Sequence, residues 1–153
     1  MATSFVTPDH DAVVSEIEIA APPQRVFAAL IDPQQQKQWG SGGAFQMTVC
    51  EMDPRPGGAW RFISHERGKP QEFVHYGKVL EMDPPRLLVY TWFANWHDNP
   101  ELRTVVRWEV TATPAGTKLR VTHSGLAQDV KAREGYSGGW PGLLEAIKKF
   151  LEK

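Results

Sequence analysis

The chain is 153 residues long, 41% apolar and 23% charged, with a formal net charge of -1. That is the size and composition of one globular domain with its own core. So balanced a charge offers no field for nucleic acid, no apolar run is long enough to span a bilayer, and the opening MATSFVTPDHD has neither the basic start nor the apolar stretch of a secretion signal.

Residues 1–12 read as a flexible polar tail ahead of a single domain over residues 13–153. VVSEIEIA alternates, with Val13, Ser15, Ile17 and Ile19 on one side, and predicts a half-exposed strand. In APPQRVFAALIDP the prolines suit the first turn of a helix whose apolar face is Val26, Phe27 and Leu30, and Asp32-Pro33 ends it. QQQKQW reads as a second short helical turn closing at Gly40, and GSGGAF as a loop.

The period then changes to two. FQMTVCEM, AWRFISHE, EFVHYGKVLEM, LLVYTWF, TVVRWEVTAT and KLRVTHS read as strands, joined by DPRPGG, RGKP, DPPR, ANWHDNPEL and PAGT. The last segment carries Trp140, Leu143, Leu144, Ile147, Phe150 and Leu151 at helical spacing, with Ser137 as expected N-cap and Pro141 in the first turn. GLAQDVKAREGYS before it reads as a separate helical piece, broken at Gly135 or at Gly138-Gly139.

Consecutive hairpins make an antiparallel meander, and one face of such a sheet must be covered. The long amphipathic element left to cover it is the closing helix. The expected architecture is therefore α+β: a curved antiparallel sheet of six to seven strands wrapped on a long C-terminal helix, with two short helices between strands 1 and 2.

This order resembles the helix-grip fold of the START and pollen-allergen-like (SRPBCC) superfamily, and within it the branch named for the activator of the heat-shock-protein-ninety ATPase. The resemblance runs over residues 13–151. It is carried by EIEIAAPPQRVFAALIDPQQQKQW, RPGGAWRF, GKVLEMDPPRLLVYTW, TKLRVTHSGL and GGWPGLLEAIKKFLE in that order. The resemblance implies a cavity between sheet and helix. It carries no catalytic residues, because that superfamily of lipid carriers, hormone receptors, polyketide cyclases and a co-chaperone domain shares none.

The chain has six tryptophans, which can fill a core or line a pocket. By period two, Trp60 shares a face with Phe62, Trp92 with Tyr90, and Trp108 with Val106 and Val110. If these faces coincide, the rings face the final helix together with Leu143 and Ile147. A broad sheet presents more inner surface than one helix covers, so a ligand cavity is expected there.

His123 lies on the face of Leu119 and Val121, either as a core histidine bonded to a carbonyl or as a polar anchor or acid–base group. His75 and Tyr76 point to opposite faces, so one of them looks inward. His65 and Glu72 fall opposite each other near a hairpin tip, where a solvated pair outweighs a catalytic one. Cys50 reads as a buried hydrophobe. The five histidines show no ligand spacing, and no phosphate loop, dinucleotide fingerprint or zinc helix occurs, so neither metal nor cofactor is expected.

Three functions follow. The first is binding of a small hydrophobic molecule by Trp60, Phe62, Trp92, Trp108, Leu143 and Ile147, oriented by His75, Tyr90 or His123. The second is a co-chaperone-like interaction module with a chaperone partner and a stress-response role. The third is a cofactor-free cyclase, dehydratase or hydrolase using His123. No nucleic-acid or membrane partner is expected. With Cys50 the lone cysteine no internal disulfide forms, and the expected setting is a cytoplasmic monomer or homodimer.

Overall fold

A computed structural model describes residues 1–153. The strands are β1 (Thr3–Val6), β2 (Val13–Ile19), β3 (Phe45–Met52), β4 (Ala59–Glu66), β5 (Glu72–Asp83), β6 (Leu87–Ala94), β7 (Thr104–Thr113) and β8 (Gly116–Ser124). Helices α1 (Pro23–Ile31) and α2 (Pro33–Trp39) lie between β2 and β3, and α3 (Val130–Leu151) closes the chain. The strands form one antiparallel sheet in the order β1-β2-β8-β7-β6-β5-β4-β3. After β2 the chain crosses through α1 and α2 to the far edge, then meanders back until β8 pairs with β2. Register shifts between Met47 and Val49 and between Val79 and Glu81 bend β3 and β5. This is the expected α+β helix-grip architecture, with eight strands where six to seven were expected.

The extra strand comes from the expected tail. Residues Thr3 to Val6 pair with Glu16 to Val13, and Ser15 Oγ donates to the Thr3 carbonyl at 2.6 Å. Four residues on a sheet edge are too few for alternation to register as a pattern, so only the partner strand reveals them.

Helix α3 neither starts at Ser137 nor breaks at Gly135 or Gly138-Gly139, as the sequence led us to expect. It is unbroken for 22 residues and starts at Val130, capped by the Asp129 carboxylate, which accepts from Ala132 N–H at 2.9 Å. Gly135, Gly138, Gly139 and Gly142 and Pro141 all lie inside it. Low local propensity is overridden because Ala132, Tyr136, Trp140, Leu144, Ile147 and Leu151 form one buried stripe. Pro141 has no N–H to give the Ser137 carbonyl, and Ser4 Oγ of β1 donates to that carbonyl instead, at 3.1 Å.

The core is one cluster that joins Val13, Ile17, Val110, Leu119 and Val121 of the sheet to Val26 and Leu30 of α1 and the stripe of α3. The α3 backbone lies close to β1 and β2 and stands off from β3–β5. Side chains must span that gap, and the sequence meets it with aromatic rings.

Candidate functional site: an aromatic cavity under the closing helix

A cavity of about 410 Å³ occupies the gap between α3 and the β3–β5 half of the sheet. The sheet wall is Phe45 and Met47 of β3, Phe62 and Ser64 of β4, and Phe73 and His75 of β5. Trp92 of β6 and Trp96 of the following loop close one end; Trp39 and Gly40 at the end of α2 close the other. The helix side is Gly135, Tyr136, Gly139, Trp140 and Leu143. No Asp, Glu, Lys or Arg lines it. A Cβ on Gly139 would meet nothing within 4 Å, so this glycine leaves open room. One on Gly135 would lie 3.0 Å from the Trp96 ring, so that glycine seats the indole. The cavity continues into a groove between α3 and the loop after α2, lined by Gly42, Gly43, Gly142 and Lys149.

Deeper in, the space is nearly full. A void of about 20 Å³ remains under Phe62, Trp92, Trp140 and Leu143, bordered by Tyr90 and Trp108. The rings are held by hydrogen bonds as well as by packing. All six indole N–H groups donate: Trp39 to Ala29 O at 2.9 Å, Trp60 to Thr91 O at 3.0 Å, Trp92 to Tyr136 Oη at 2.7 Å, Trp96 to His75 Nε2 at 2.9 Å, Trp108 to Tyr90 Oη at 2.7 Å, and Trp140 to His123 Nδ1 at 3.3 Å. Rings pinned in this way keep their places when the space between them is empty.

The same bonds decide the histidines. Thr104 Oγ1 donates to Trp92 O at 2.7 Å, so it accepts from His123 Nε2–H at 2.8 Å, while His123 Nδ1 accepts from Trp140. His123 is fully buried with both nitrogens engaged, and burial holds its pKa well below the ordinary value. It is a core histidine bonded to a hydroxyl and an indole, and it does not reach the cavity.

His75 differs. Its Nε2 accepts from Trp96, which puts the proton on Nδ1, and that N–H has no partner. Burial drops its pKa to about 3, so the ring is neutral. Tyr136 Oη, already accepting from Trp92, meets His97 Nε2 at 2.7 Å, and burial raises the phenol's pKa. Burial likewise lowers the pKa of His97 against the pull of Asp129 and Asp98.

Of the residues expected around a ligand, Phe62, His75, Trp92 and Leu143 line the cavity. Tyr90 and Trp108 border only the small inner void, and Trp60, His123 and Ile147 border neither space. Tyr76 points outward, as its opposite parity to His75 required. His65 and Glu72 are register partners, but the imidazole bonds the Glu66 carbonyl at 3.0 Å. The Cys50 thiol donates to Gln36 Oε1 at 2.9 Å, and burial pushes its pKa up to about 12, which leaves it unreactive.

The sequence reading missed Trp39, Phe45, Met47, Phe73, Trp96, Tyr136 and Trp140 as wall residues. Phe45 and Met47 were legible by alternation, as were Phe73 and His75; the bulge after Met47 changes the parity between them and the rest of β3.

A family model described as Activator of Hsp90 ATPase homolog 1-like protein matches residues 20–152. Solved structures share the fold. A Rhodobacter sphaeroides protein superposes with a TM-score of 0.84 at 19% identity, over 99% of each chain. One from Mesorhizobium loti has 30% identity and a TM-score of 0.74, over 92% of this chain and 96% of its own. An AHSA1-like protein from Aeromonas hydrophila has 20% identity and a TM-score of 0.75, over 92% of each chain. No curated protein matches the chain in sequence.

Proposed function

We propose, for a chain that belongs to the Activator of Hsp90 ATPase homolog 1-like family, that it binds a small apolar molecule in the cavity under α3. One observation carries this reading: about 410 Å³ of open volume walled by pinned aromatic rings without a charged side chain. That volume falls in the range of small-molecule sites, on the order of 300–1,000 Å³. Leaving such space open costs about 1 kcal/mol per methyl-sized void, so interiors close it unless something occupies it.

The test uses N-phenyl-1-naphthylamine, a neutral fluorescent probe, titrated while tryptophan emission is followed. Gly139→Leu should abolish binding by filling the cavity. Gly138→Leu, also with open space around its Cβ but outside the wall, should leave binding intact. Equal binding by both variants, or none by the unaltered protein, would overturn the reading.

The alternative is an interaction module acting through the outer sheet face. There Tyr76 and Phe93 stack at 5.3 Å and 14°, Leu80 is exposed, and Arg61, Lys78 and Arg103 rim the patch. Under that reading Tyr76→Glu removes stimulation of a purified heat-shock-protein-ninety ATPase, and Gly139→Leu does not.

A further inference from the structure

Two buried side-chain polar atoms lack a hydrogen-bond partner, Nδ1 of His75 and Nδ1 of His97, and His75 stands in the cavity wall. An unpaired buried donor destabilises a fold, and a native protein that keeps one gives reason to look for a missing acceptor. Trp96 locks the tautomer, so His75 offers an N–H and never a lone pair on that side. Nδ1 is buried, so bulk water does not compensate it.

Beside it lies the other uncommitted polar group of the wall. Phe62 pairs with His75 and Ser64 with Phe73, which makes Ser64 and His75 diagonal neighbours on the inner face. Diagonal Cβ atoms lie on the order of 7 Å apart. One oxygen fits between a hydroxyl and an imidazole N–H at that spacing. Tyr136, the remaining hydroxyl on the wall, is already held by Trp92 and His97.

Resting on the ligand-binding reading above, we propose that Ser64 and His75 form a polar notch in the aromatic wall that hydrogen-bonds one uncharged oxygen of the ligand. The ligand class is then a flat, neutral aromatic molecule bearing a carbonyl or hydroxyl. The rings favour flat aromatic faces, and the absence of charged groups in the wall disfavours an anion, which would lose its hydration without a counter-ion.

Three probes of one skeleton test this: fluorene, 9-fluorenone and fluorene-9-carboxylate, titrated calorimetrically into the unaltered protein, His75→Phe and Ser64→Ala. Fluorenone is expected to bind about tenfold tighter than fluorene, the scale of one hydrogen bond, and the carboxylate weakest. His75→Phe should erase the preference, read as the ratio of the fluorenone and fluorene affinities within that variant, and Ser64→Ala should reduce it. The ¹⁵N resonance of His75 Nδ1 should move with fluorenone and not with fluorene, a signal that loss of packing does not mimic.

Equal affinity for fluorene and fluorenone, or a preference that survives in His75→Phe, overturns the notch and leaves the cavity as a site. A carboxylate that binds as tightly as the ketone overturns it in favour of Lys149 in the adjoining groove. Binding of none of the three overturns both the notch and the ligand-binding reading.

Discussion

His123 sits in the core with both imidazole nitrogens in hydrogen bonds. It receives Trp140 on one nitrogen and gives to Thr104 with the other, with no exposure to the cavity. A group with both nitrogens committed and its charged form disfavoured by burial has neither a proton to give nor a lone pair to offer. Replacing it by Leu should therefore act on stability. The Trp140 N–H loses its acceptor and the Thr104 hydroxyl a donor, at a cost of about 2–4 kcal/mol. Urea unfolding should show that loss, and N-phenyl-1-naphthylamine affinity should change little. A stable variant with abolished binding would place His123 at the site after all. Parity on β8 put the imidazole on the face of Leu119 and Val121; which bonds it makes there depended on Thr104, from the neighbouring strand, and on Trp140, from α3.

At the scale of elements, α3 is built against its own propensity. Each helical glycine costs about 1 kcal/mol relative to Ala, and an interior proline about 3 kcal/mol. The helix carries all of these between Gly135 and Gly142. Local reasoning therefore expected a break, and what it lacked was the rest of the molecule. The buried stripe holds the helix down along its length. Strand β1 supplies the bond that Pro141 cannot, through Ser4 to the Ser137 carbonyl, and the Ala2 N–H meets Glu145 Oε2 at 2.8 Å. The first strand thus acts as a clasp on the weakest turn of α3. Ser4→Ala should cost about 1 kcal/mol and lower hydrogen-exchange protection of the amides from Gly139 to Leu144 more than those near Leu151. Uniform loss of protection along α3, or none, would contradict the clasp.

For the whole molecule, the buried histidines give the fold a pH dependence with a definite sign. Burial lowers the folded-state pKa of His75 to about 3 and also lowers those of His97 and His123. In the unfolded chain each titrates near 6.5. Above that pH neither state binds these protons, so the stability they contribute is fully present. As pH falls below about 6.5 the unfolded chain takes up protons that the folded one refuses, and stability is lost at up to about 1.4 kcal/mol per pH unit for each histidine. The urea midpoint should hold steady from pH 8 to 7 and fall steeply from pH 6.5 to 5. His75→Phe should flatten part of that slope, and an unaltered slope would mean that His75 titrates normally in the folded protein.

The strands, the paired short helices and the shared faces, Phe62 with Trp60, Trp92 with Tyr90 and His75 opposite Tyr76, were legible because periodicity is local: a residue two or four positions away reports which side chains share a face. The family resemblance spread over residues 13–151 fitted the same layout. The position of the hollow was not legible, because a cavity is a difference between surfaces brought together from β3–β5, α2 and α3. Residues equally aromatic on paper, Trp60 and Trp108 against Trp92 and Trp96, were sorted into packed core and open wall by which neighbours the sheet, α2 and α3 bring against each ring. Chain pattern determined which rings share a face; only the tertiary structure decided which face turns inward and which rings border open space, since that depends on distances between segments that no local pattern encodes.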